Sequence, residues 1–177
     1  VRGARAVCRA VDASYVGGDL DEHVEFTTAT TALGRTDAPV RRSGARPGDA
    51  VLVTGRLGRS AAALRRFRAG DADRGNELFR FPPRVAAGVA LAPHATAGMD
   101  VSDGLARSLH QMAAAGDCGF AVEGDSVPIH PAVTGDPDER LRAATTVGED
   151  FELLVTVPSG RLSAARAASP VDLTVVG

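Results

Sequence analysis

The chain contains no lysine: all 20 of its basic residues are arginine. That absence excludes a Walker-type phosphate loop, whose lysine reaches the β- and γ-phosphates, and it excludes lysine Schiff-base chemistry. Tryptophan is missing too, and Tyr15 with six phenylalanines supplies all the aromatic content. Base-stacking platforms are therefore not evident, and scattered arginines with a net charge of −2 argue against nucleic acid or an anionic membrane as partner. Two cysteines, Cys8 and Cys118, lie far apart and read as small apolar side chains in a reducing compartment rather than as a disulfide. His23, His94, His110 and His130 show no paired ligand spacing, so a zinc site is unsupported. No Gly-x-Gly-x-x-Gly run opens a helix, which disfavours a standard dinucleotide fold. No apolar run approaches the roughly 20 residues of a membrane helix, and no leader pattern opens the sequence. A cytoplasmic location is expected.

What the chain does have is three clusters of glycine and acid, each at the end of a strand-like stretch. They are Gly17-Gly18-Asp19, Asp100-Val101-Ser102-Asp103-Gly104 and Gly148-Glu149-Asp150. Glycine allows a sharp turn and close approach to a ligand, and carboxylates offer hard oxygen donors. Carboxylates alone would repel a polyphosphate, so a divalent cation must sit between them. Magnesium suits this role, because it binds through one or two carboxylates together with substrate phosphate oxygens. The pattern points to a nucleotide triphosphate handled through metal ions.

At 177 residues the chain is long enough for one domain or one and a fraction. Val1 to Asp12 reads as a helix, Tyr15-Val16 as a short strand and Val24 to Leu33 as a long threonine-rich strand. Gly34 to Gly48 is the best linker candidate. Beyond it the sequence predicts strands over Ala50–Thr54, Ala97–Val101, Gly119–Val122, Phe151–Val157 and Leu173–Val176. Helices are predicted over Ser60–Ala69, Arg84–Leu91, Asp103–Ala115 and Ser159–Ala168, with Leu105, Leu109 and Met112 on the inner face of the third. Gly70–Asn76 and Ser126–Pro137 read as loops. Both ends are abrupt, and the folded unit is expected to continue past them.

Each cluster also has a plainer reading. Ser102 or Asp103 could simply cap a helix, although a cap does not explain a second carboxylate at the strand end, and this favours the metal reading. Gly17-Gly18-Asp19 could be a turn between strands, and Glu149 and Asp150 could be solvated loop charges. Gly55 to Gly58 could cradle phosphate through backbone amides or be a tight strand-to-helix turn, the more common case.

In order and spacing, these runs resemble thiamine-monophosphate kinases, of the aminoimidazole ribonucleotide (AIR) synthetase-like superfamily. The resemblance rests on Gly17-Gly18-Asp19, Arg42-Ser43-Gly44-Ala45-Arg46-Pro47-Gly48-Asp49, Thr54-Gly55-Arg56-Leu57-Gly58-Arg59-Ser60-Ala61-Ala62, Asp100-Val101-Ser102-Asp103-Gly104-Leu105 and Gly148-Glu149-Asp150-Phe151-Glu152-Leu153-Leu154. It implies an α+β, two-domain architecture: residues 1–40 would end an N-terminal ATP-binding and dimerisation domain, and residues 41–177 would form a mixed α/β C-terminal domain. It implies Mg2+-dependent, direct in-line phosphorylation of thiamine monophosphate by ATP, in a homodimer when full length. By motif match, Asp19, Asp100 and Asp103 would bind Mg2+; Gly18, Asp19, Arg42 and Ser102 would serve ATP; and Glu149 would touch the thiamine phosphate. No general base is assigned, since the acceptor is already an anionic phosphate oxygen. Another ATP-dependent synthetase of the superfamily, or a non-catalytic nucleotide-binding fragment, are the competing readings.

The match has gaps. The family's upstream Asp-Asp metal loops would precede Val1, and its C-terminal aromatic would follow Gly177. Leu20-Asp21 stands where Thr-Thr is usual, and Ser108 where aspartate is common. The resemblance thus implies a fragment carrying part of the metal ligands.

Overall fold

The computed structural model describes residues 2–22 and 24–177. Val1, at the head of the expected first helix, and His23 lie outside the described residues. The chain divides into two units, Val1–Pro39 and Val40–Gly177.

In the first unit, α1 (Arg2–Ala10) is followed by a turn and then by irregular backbone. No side chain of α1 is buried; Arg5 lies 5.4 Å from the centre of the Tyr15 ring. The strands expected at Tyr15-Val16 and Val24–Leu33 are not formed among the described residues. Strand propensity reflects packing on a pleated surface with a partner beside it, and among the described residues no strand lies beside this stretch. Val24, Phe26 and Leu33 are 96%, 99% and 94% exposed.

The second unit is α+β. Its strands β1 (Asp49–Thr54), β2 (Ala97–Asp100), β3 (Leu153–Pro158) and β4 (Leu173–Val175) form one antiparallel sheet in the order β2-β3-β1-β4. Val51 pairs with Thr156, Leu52 with Val155 and Val53 with Leu154. Successive side chains point to opposite faces, so an unbroken Val51-Leu52-Val53 run needs apolar cover on both sides. It has it. On one face Val51, Val53 and Leu154 pack with Leu105 and Met112 of α5 (Leu105–Gly116). On the other, Leu52, Val155 and Val157 pack with Leu91 of α4 (Val85–Leu91) and Ala165 of α7 (Leu162–Ala168). Each fully buried leucine here contributes about 1.5–3 kcal/mol relative to exposure.

Two helices sit where the sequence predicts loops or makes no assignment. The first, α3 (Ala72–Phe79), follows α2 (Arg59–Arg68) and is capped by Asp71, whose carboxylate accepts from the Arg74 amide at 3.2 Å. The second, α6 (Pro137–Thr146), opens with a capping box in which Asp136 accepts from Glu139 N at 2.8 Å and Glu139 reaches back to Asp136 N. With Pro137 at its first position, this is a helix start written in the sequence. Ala61, Ala62, Ala63, Leu78, Val133 and Ala143 join α2, α3 and α6 in a separate apolar cluster. The strand expected over Gly119–Val122 is absent: the segment lies beside the chain's last residues, with one bond from Glu123 N to Val176 O, and forms no ladder. Among the described residues no helix is long and apolar enough to cross a membrane.

Candidate functional site

Two of the three clusters meet, and backbone hydrogen bonds join them. β2 ends at Asp100, which pairs with Leu153 at the start of β3. Past that pair the ladder gives way to irregular contacts. Val101 N donates to Glu152 O at 2.7 Å, Phe151 N to Val101 O at 3.1 Å, and Glu149 N to Ser102 O at 2.8 Å. The loop 101–104 is thereby held against the segment 148–152. Two glycines permit this closeness. A Cβ at Gly148 would overlap the Ser102 carbonyl, and at Gly104 it would lie 2.9 Å from the Thr145 carbonyl oxygen, with φ at +92°.

The 148–152 segment is bent in an unusual way. Glu149 and Phe151 both have left-handed backbones, with φ of 67° and 51°. For residues with a Cβ this costs on the order of 1–3 kcal/mol each, and it persists only where surrounding structure enforces it. The residue between them supplies that enforcement. Asp150 is 1% exposed, and its carboxylate accepts from Gly58 N at 2.5 Å and Ser60 N at 2.9 Å, the amides of the cap and the second residue of α2. Ser60 Oγ donates to Glu149 O at 2.5 Å, and Arg59 donates to Asp150 O at 3.2 Å and Leu78 O at 3.0 Å. Burial pushes the Asp150 carboxyl above the ordinary carboxylate value, and the Ser60 and Gly58 amides pull against that rise.

The neighbouring side chains reinforce the bend. Glu152, 4% exposed, makes a two-pronged ion pair with Arg84, with both N···O distances 2.7 Å, and accepts from Thr54 Oγ1 at 2.7 Å. Phe151 stacks on Phe81 with ring centres 5.3 Å apart, and the Arg59 guanidinium sits 4.4 Å from the centre of the Phe81 ring.

Asp100, Ser102, Asp103 and Glu149 are thus carried by two segments in direct contact. Among the described residues no hydrogen bond or ion pair engages the side chains of Asp100, Ser102 or Glu149. Asp103 is held only loosely, 3.6 Å from Arg107 Nε and 3.4 Å from Gln111 Nε2. The simple capping role is not played: Gly104 precedes α5, and no side chain bonds to the helix start. Arg42 is exposed on the chain that follows β2's outer side, where Arg41 O accepts from Gly98 N at 2.9 Å. Gly18 and Asp19 belong to the first unit, where Asp19 Oδ1 accepts from the Leu20 amide at 2.9 Å.

The donor set suits magnesium. A cation that binds phosphate needs only one or two protein carboxylates, and Asp100 and Asp103 provide two hard oxygen groups with little or nothing else to bind. Among the described residues no group of three or more His, Cys, Asp or Glu side chains is arranged to hold a metal by itself. The Gly55–Gly58 turn is a different matter. Its helix-start amides are already occupied by Asp150, so it does not cradle phosphate in this arrangement. Asp150 is buried rather than the solvated loop charge the sequence allowed, and Ser60 has no role legible in the sequence, since their partners lie about 90 positions away in the chain.

Residues 46–176 match the family described as AIR synthase related protein, C-terminal domain. Over 180 residues the chain is 62% identical to the thiamine-monophosphate kinase of Halobacterium salinarum, covering 100% of this chain and 62% of that protein. The crystal structure of thiamine-monophosphate kinase from Stenotrophomonas maltophilia K279a matches with a TM-score of 0.72 and 31% identity, covering 80% of this chain and 50% of that one. AaThiL complexed with AMPPCP and TMP matches with a TM-score of 0.66 and 26% identity, covering 78% and 47%. The chain spans less than two thirds of the length of each of these relatives. With 131 consecutive residues, 46–176, inside that one family's domain, the chain belongs to the AIR synthase-related proteins, and within them it is similar to the thiamine-monophosphate kinases.

Proposed function

We propose that this chain serves in the Mg2+-dependent transfer of the γ-phosphoryl group of ATP to thiamine monophosphate, giving thiamine diphosphate. The observation that carries the reading is the docking of loop 101–104 on segment 148–152, which sets the carboxylates of Asp100, Asp103 and Glu149 on adjoining segments. The relatives' names agree with it, and AaThiL is complexed with both AMPPCP and TMP. Residues 1–40 would end an ATP-binding domain and residues 41–177 would form the C-terminal domain, with a homodimer as the working assembly.

In this reading Asp100 and Asp103 hold Mg2+, which when bound neutralises phosphate charge and orients the reacting groups. Ser102 donates its hydroxyl to ATP, and Arg42 adds a guanidinium that can pair with phosphate oxygens. Gly18 would serve ATP, and Asp19 would serve ATP and a metal ion. Glu149 faces the thiamine monophosphate. Direct in-line transfer needs no protein base, because the acceptor oxygen is already anionic, so the protein's work is positioning and charge stabilisation.

The test is thiamine diphosphate formation from thiamine monophosphate and ATP, with and without Mg2+, by the protein carrying this chain. Product that depends on both ATP and the metal, and that falls sharply in Asp103→Asn, is expected. ATP-dependent turnover of a different acceptor, with thiamine monophosphate inert, would move the chain to another branch of the superfamily.

A further inference from the structure

We propose that Asp150 is a positioning residue: it clamps Glu149 to the first turn of α2 and so sets the geometry with which Glu149 meets thiamine monophosphate. The proposal rests on the kinase reading for what Glu149 does, but the clamp itself stands on geometry alone. Three consecutive residues of α2 and its cap take part. Gly58 N and Ser60 N donate to the two oxygens of the Asp150 carboxylate, at 2.5 and 2.9 Å. Ser60 Oγ donates to the carbonyl of Glu149, and Arg59 to the carbonyl of Asp150. On the other side of the same residue, Glu149 N is held by Ser102 O at 2.8 Å. Glu149 is thus gripped at its amide by the loop bearing Asp103 and at its carbonyl by α2, with its side chain exposed. Its left-handed φ of 67° is the cost of that grip.

A helix start normally takes its cap from the residue just before it. Here that residue is Gly58, which brings no side chain and makes no side-chain cap. The cap comes instead from Asp150, about 90 residues later in the chain. A helix that needed only a cap could have had one locally. Capping by Asp150 also ties the helix to Glu149, which carries an exposed carboxylate on a left-handed backbone.

The experiment compares Asp150→Asn and Ser60→Ala with the unaltered protein. Asp150→Asn keeps the shape but replaces one acceptor oxygen with an NH2 that faces an amide N–H. Ser60→Ala removes the hydroxyl that donates to the Glu149 carbonyl, keeps the backbone amides that bond Asp150, and serves if the first variant does not fold. Two readouts are taken: the KM values for thiamine monophosphate and ATP, and the hydrogen-exchange rate of the Glu149 amide. The clamp predicts a KM for thiamine monophosphate raised about tenfold or more, a KM for ATP within about twofold, and faster exchange at Glu149 with little change in α5. Unaltered exchange at Glu149 overturns the proposal. Faster exchange with both KM values unchanged, or with both raised alike, also overturns it, because a plain helix cap would behave so. If the unaltered protein makes no thiamine diphosphate, the kinase reading fails, and the exchange rate alone decides whether Asp150 clamps Glu149.

Discussion

The amide of Glu149 donates to the carbonyl of Ser102 across 2.8 Å, although the two lie 47 positions apart in the chain. Through that bond two segments, each ambiguous alone, become a single surface with acidic side chains on both halves.

Asp103→Asn should weaken MgATP binding by about tenfold or more, equivalent to ~1.4 kcal/mol. Stability should change by no more than about 0.5 kcal/mol, since the side chain is exposed and only loosely held. Isothermal titration with MgATP beside a urea melt checks both halves. Unchanged affinity would remove Asp103 from the metal set.

Gly148→Ala forces a methyl group into the Ser102 carbonyl. Crowding of this kind costs about 1–3 kcal/mol, and relief requires the two segments to part. A lower urea midpoint together with lost turnover is expected. A stable, fully active variant would show that the contact between the segments is not needed.

Arg84→Met strands Glu152 in the interior, with Thr54 as its remaining side-chain donor. Breaking a buried ion pair on one side costs about 3–5 kcal/mol. Adding Glu152→Gln to that variant should recover part of the loss, because the unpaired charge is then gone. Equilibrium unfolding of both single variants and the double variant measures the coupling directly.

His130 carries a pH dependence of definite sign. Burial foremost, with Arg59 nearby, depresses its pKa below the ordinary 6.5. Its neutral Nδ1 accepts from Ala132 N at 3.2 Å, a bond that protonation abolishes. The fold therefore prefers neutral His130. The stability it contributes is fully present above pH 6.5 and is lost as the pH falls through the depressed folded value. The stability difference between the unaltered protein and His130→Gln should shrink on acidification through that window, and thermal melts at a series of pH values would show it. A constant difference would refute the assignment.

Much of the second unit was legible in the sequence because its signals are local. The apolar run Val51-Leu52-Val53, the α5 spacing of Leu105 and Met112, and the Asp100–Gly104 cluster at the end of β2 each read correctly from a few neighbours, whereas Gly148-Glu149-Asp150 follows α6 rather than a strand. The capping box of α6 is equally local, at Asp136 to Glu139, but it lies within a proline-rich stretch whose turn signals mask it. The expected strand over Val24–Leu33 failed for the opposite reason: β-branched composition states a preference, and only a partner strand fulfils it. The Asp150 and Glu152 contacts lay beyond reach, since nothing near them names Gly58, Ser60, Thr54 or Arg84 as the groups they meet.

Capping α2 from Asp150 has a consequence for synthesis. A ribosome adds about 5–20 residues per second, so the helix beginning at Arg59 emerges seconds before the carboxylate that completes it. Until then its leading amides have only water as partner, and the nascent helix has nothing to fix its first turn. Closing so long a loop is an entropic hurdle that local helices do not face. The start of α2 and the acidic surface it supports are thus complete only once residue 150 has been added.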